Sequence, residues 1–182
     1  MFKRKSKQSV GESETLKSLR NTMKGYIGYD DVRERSPTDK ALRNYLYSLV
    51  LTMIDKYSQV QNQLMQGQLL STWSSSNQIL TMLTDLRNFL SSDVYRHSTF
   101  FETPNIFDNI EVSILYLLES ETILEMRSLV EQMEKTAERL KNLDLTDIEQ
   151  NILSIRDSVI EVKTTITDRA ELIASFEIVG LE

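Results

Sequence analysis

From Ile148 onward, apolar side chains return at strict steps of four and three: Ile148, Ile152, Ile155, Val159, Val162, Ile166, then Arg169 on the same line, Ile173 and Phe176. Only a helix carries that spacing on one face, so the last third of the chain has to bury a single helical seam. The seam is almost wholly Ile and Val, a composition that in parallel coils favours three or four strands over two. Ile148, Ile152, Ile155, Val159, Val162, Ile166 and Ile173 are therefore expected to form a self-association seam. Leu145, Leu153 and Ile160 beside it widen the apolar face beyond a two-stranded need.

The pattern recurs upstream. Leu42, Leu46, Leu49, Met53, Tyr57, Val60 and Leu64 form one near-heptad line, continued by Leu69, Trp73, Ser76, Leu80, Leu83, Arg87, Leu90 and Val94. With 5 Gly and 2 Pro in 182 residues, few points can stop a helix. Ser36-Pro37-Thr38-Asp39 is the strongest start signal, and the pattern favours a helix continuing, kinked, past Gly67 toward Val94; a hairpin at Gly67 is the alternative. Ser9 with Glu12 opens a short helix to about Lys24, closed by Gly25 and Gly28. A turn over 91–109 precedes a helix from Ile106 to about Asn142. Its stripe begins as Ile110, Ile114, Leu117 and Leu124 and shifts register near Glu119–Glu125 to Met126, Leu129, Met133, Thr136, Leu140 and Leu143. Thr146-Asp147-Ile148-Glu149 reads as a capping box. The fold expected is all-α: an elongated bundle or antiparallel coiled coil of four to five helices, with a basic tip (1–8), a short helix and Gly/Tyr hinge (9–35) and a long-helix bundle (36–182).

Charge is uneven. Lys3, Arg4, Lys5 and Lys7 crowd the first seven residues, while the formal net charge is −6, leaving the body at −10. An acidic body argues against nucleic acid, whose affinity is built on neutralised phosphates. No run reaches the roughly 20 apolar residues of a membrane span, and no apolar region follows the basic tip as in a secretion signal, so a cytoplasmic location is expected. The chain has no Cys and one His, His97. Glu131, Glu134 and Glu138 interleave with Lys135 and Arg139 as a solvated face does. Neither a phosphate loop nor a metal-ligand spacing is present, so an enzyme is not expected, and no cofactor or metal.

Two stretches stand out as candidate docking surfaces. Gly25-Tyr26-Ile27-Gly28-Tyr29 leads into a mixed-charge run with Arg33 and Arg35, and the 91–109 connection carries Phe100 and Phe101; Tyr and Arg are favoured interface anchors. A hinge packed back on the bundle is the plainer reading of the first. Phe2, Lys3, Arg4, Lys5 and Lys7 are candidate lipid contacts at an anionic inner membrane face, joined by the amphipathic segment with Leu16, Leu19 and Met23. The function expected is a non-enzymatic scaffold or adaptor that binds itself and a protein partner; the alternative is a peripheral membrane-remodelling protein. The order of basic tip, short helix and long helices is similar in layout to phage-shock and ESCRT-III-type proteins, with no shared residue motif and so no functional position carried over.

Overall fold

A computed structural model describes residues 13–92, 98–103 and 109–175. These residues are all-α, with five helices: α1 (Glu14–Thr22), α2 (Val32–Gln66), α3 (Trp73–Ser91), α4 (Asn109–Lys141) and α5 (Ile148–Ser175). At 1.5 Å per residue, α2 is about 52 Å long.

The long helix does not continue past Gly67. Gln68 takes the left-handed conformation at φ 55°, and the amides of Gln68 and Leu69 donate back to the carbonyls of Met65 and Leu64. This double closure ends the helix and turns the chain, so the hairpin alternative holds. Tyr57 Oη on α2 meets Ser76 Oγ on α3 at 3.1 Å across it. The α4–α5 turn closes the same way, with Leu143 at φ 59° and Asp144 donating to Arg139 O at 2.9 Å. The chain thus reverses three times between its long helices, the 91–109 connection being one of the three.

The two antiparallel hairpins pack side by side. α2 lies against α3 and α4, and α5 against α4 and α3, so the four helices form a ring with α2 beside α4 and α3 beside α5. Lys56 reaches Glu134 at 2.9 Å and Arg127 reaches the Tyr45 hydroxyl, which sets α2 and α4 parallel. Between α3 and α4, the described residues 98–103 lie over one end of the ring, against α2 and α5. Phe100, in a 3-10 turn over Thr99–Phe101, plugs that end and is fully buried.

Helix starts differ from the expected ones. α2 begins one turn early, capped by the Asp31 carboxylate, which accepts from the Arg33 amide at 2.9 Å. Pro37 therefore sits within the helix, and Thr38 and Asp39, read as capping residues, are buried and turned inward. α1 starts on Ser13, whose hydroxyl accepts from the Leu16 amide; Ser9 and Glu12 lie outside the described residues.

The α5 seam is buried as spaced, from Ile148 to Ile173, and Phe176 lies outside the described residues. Its residues face α3 and α4 of the same chain, so this surface makes the internal core and is not open to a second copy. In α4 the buried line runs Val112, Leu115, Tyr116, Glu119, Thr122, Ile123, Met126 without interruption. The expected register shift disappears once Glu119 and Thr122 are placed inside. Ile114, Leu117 and Leu124, read as core, are 43%, 51% and 62% exposed.

Candidate functional site

At the end of the ring where α2 and α4 start and α5 ends, six polar side chains meet, five of them buried and the sixth, Arg43, half-buried. Arg169 is its centre, 3% exposed. The steps of four and three place it on the buried face of α5, where its guanidinium has to find anions. Nε donates to Glu119 Oε1 at 2.7 Å, while Nη2 donates to Asp39 Oδ1 at 2.8 Å and the Tyr29 hydroxyl at 2.9 Å. Arg43, one turn after Asp39, closes the set by donating to Asp39 Oδ2 at 2.8 Å. Two carboxylates thus face two guanidinium groups, and the formal charge of the cluster is zero.

Glu119 is fully buried and accepts from three donors: Arg169, the Tyr29 hydroxyl at 2.6 Å and the Tyr26 hydroxyl. Burial pushes its carboxyl up, against the pull of Arg169 and the two phenols. Burial, followed by the nearby Glu119 charge, also raises both phenols, so Tyr26 and Tyr29 are neutral donors across the physiological range. Tyr116 is pushed up to about 12 by burial; its hydroxyl accepts from the Tyr29 amide at 2.8 Å.

The 25–29 segment is shaped to deliver those phenols. Gly28 has φ 124°, and a Cβ there would lie 2.9 Å from the Tyr116 hydroxyl, so only glycine lets the chain pass. Thr38 Oγ1 both accepts from the Gly28 amide and donates to its carbonyl, each at 3.0 Å, clamping the turn on α2. Tyr29 stacks on Tyr116 at 5.7 Å and meets Phe100 edge-on at 5.4 Å. Arg35, 2% exposed, donates to the carbonyls of Tyr29, Phe100 and Thr103, and its guanidinium lies 5.1 Å from the centre of the Phe100 ring. It joins the hinge to the 98–103 segment.

Four expected docking residues, Tyr26, Tyr29, Arg35 and Phe100, are therefore interior and serve the fold. Phe101 is half-buried against Phe100, and Arg33 alone is exposed, paired with Asp31 at 2.6 Å. Ile27, grouped with the tyrosines in the packed-hinge reading, is 44% exposed. Leu16, Leu19 and Met23 are buried, which turns the apolar face of α1 inward and away from any lipid. Phe2, Lys3, Arg4, Lys5 and Lys7 lie outside the described residues, as does His97. Glu119, Asp39 and Thr38 were missed because an acidic or hydroxyl residue reads as surface or cap; the signal for Glu119 was the interrupted stripe around it.

The arrangement can hold charge and position helices, and its donors and acceptors are used on one another: among the described residues no buried side-chain N or O lacks a hydrogen-bond partner. No group of three His, Asp or Glu side chains is placed there to hold a metal ion. No described helix is long and apolar enough to cross a membrane. No protein-family model, curated protein or solved structure matches the chain.

Proposed function

We propose that the protein is a non-enzymatic cytoplasmic scaffold that associates with itself and with a protein partner. The observation that carries this reading is the line Ile114, Leu117 and Leu124 along the outer face of α4, large apolar side chains that the core leaves to solvent. It takes over the role first read into the α5 seam, which the core consumes. Saturation of the buried polar cluster supports the same reading, since Glu119 and Asp39 have their acceptor sites filled by Arg169, Arg43 and the two phenols rather than open to a substrate. Light scattering across concentration tests it. Mass above 21.1 kDa at high concentration that returns to 21.1 kDa in Leu117→Asp/Leu124→Asp, with helicity retained, is expected. A wild-type chain that stays at that mass throughout overturns the self-association.

A second reading, contact with an anionic membrane, rests on Lys3, Arg4, Lys5 and Lys7. It predicts salt-sensitive sedimentation with phosphatidylserine vesicles, lost when the four become Gln. No sedimentation at low salt sinks it.

A further inference from the structure

Helix α1 is attached differently from the other four. Among the described elements α4 is the only helix it packs against, whereas each of the others packs against at least two helices. Leu16 and Leu19 are its buried side chains, with Met23 buried at its C-cap, set against the ordering of a nine-residue helix. It is reached through Gly25, which is exposed and holds φ 89° with only Ala41 Cβ, at 3.9 Å, near a would-be side chain. Immediately after Gly25 the chain is fixed: Tyr26 bonds to Glu119, Gly28 to Thr38 and Tyr29 to Arg169. None of these bonds involves α1, so Arg169 keeps both its carboxylates whether α1 is seated or not; across the hinge α1 itself gives the Arg20 Nε bond to the Ile27 carbonyl at 2.6 Å and sets Leu16 beside Gly28.

We propose that α1 is an exchangeable arm that leaves its own α4 by rotation at Gly25 and seats on α4 of a second copy. The seat takes that occupant because the segment offered by another copy is chemically the one already covering it, and exchange of an identical element makes a closed two-fold pair in which the arm–seat contact repeats the one within a single chain. The proposal rests on the self-association reading above and supplies its geometry. α4 also carries Ile114, Leu117 and Leu124, so reciprocal exchange brings the exposed apolar lines of two copies onto one assembly.

The hinge glycine gives the test. In the closed form any residue other than glycine at position 25 is held in a left-handed conformation, while an extended hinge in the exchanged form releases it. Because a dimer contains two hinges, Gly25→Val is expected to lower the dimer dissociation constant at least about tenfold by analytical ultracentrifugation. Adding Leu16→Asp/Leu19→Asp to that variant is expected to return it to monomer. A dissociation constant unmoved by Gly25→Val, or a dimer that survives the two Asp substitutions, overturns arm exchange while leaving self-association through another surface standing. Absence of any dimer in both wild type and Gly25→Val overturns both. Should Gly25→Val fail to fold, hydrogen exchange on the wild-type chain decides instead: protection of the 14–22 amides is expected to rise with protein concentration, and concentration-independent protection overturns the arm.

Discussion

Arg169 is where a single side chain has the widest reach. Replacing it with Met leaves Glu119 buried against two phenols and Asp39 with Arg43, so Arg169→Met is expected to lower stability by about 3–5 kcal/mol in guanidinium unfolding. Glu119→Met made together with it removes the stranded charge and leaves the Asp39–Arg43 pair neutral. The double variant should therefore recover more than half of the loss, a coupling that additive losses from the two sites would refute. Acid sensitivity has a different origin. Asp31 and Asp144 are both held down at about 2, by hydrogen bonds from Arg33 and from Arg139 respectively. A depressed carboxyl adds stability above its ordinary 3.8 and loses it as pH falls toward 2, whereas Glu119, pushed up by burial, has the opposite sign and costs stability as pH rises through its range. Asp144→Asn is thus expected to flatten the fall in melting temperature between pH 3.8 and about 2, and an unchanged slope would remove Asp144 from the account.

At the scale of elements, both hairpins turn on a non-glycine residue in the left-handed region. Leu143 is 83% exposed at φ 59°, so it loses no burial on substitution, and Leu143→Gly is expected to stabilise the chain by about 1 kcal/mol. A neutral or negative result in thermal unfolding would mean the turn is not strained. The same turn shows what periodicity can and cannot deliver. Steps of four and three located the buried face of α5 from Ile148 to Ile173, Arg169 included, because a seam of Ile and Val has one way to face inward. In α2 and α3 the pattern was right in kind but off by one at Val50, Ile79 and Leu86, where two adjacent positions share the buried edge of the helix. The breaks were harder: Gly67 is in the sequence where the chain turns, yet the strained position is Gln68, which carries no turn signal. The polar cluster was the least legible, since a Glu on a helix is a surface residue unless a cation 50 positions away neutralises it. Pairings of that separation leave no trace in local spacing.

Among the described residues the four long helices make two short-range hairpins, joined along their length by bonds such as Lys56–Glu134 and at one end by the buried polar cluster. Tyr57 and Ser76 are 19 positions apart, and Gln132 and Ser154 are 22 apart, whereas Asp39–Arg169 spans 130 and Tyr29–Arg169 spans 140. Loop closure costs more for the longer spans, so each hairpin has the smaller barrier to formation and the polar cluster assembles when the two hairpins meet. Loss of Arg169 is therefore expected to appear in the unfolding limb of a stopped-flow chevron, with little change in the folding limb. A folding rate slowed in proportion to the lost stability would place the cluster in the nucleus instead. Synthesis adds a clock to this arrangement. The 50 residues between Glu119 and Arg169 take about 3–10 s to translate, an interval in which Tyr26, Tyr29, Asp39 and Glu119 already exist and the guanidinium that joins them does not. For those seconds the nascent chain holds its first hairpin without the bolt that fixes it to the second.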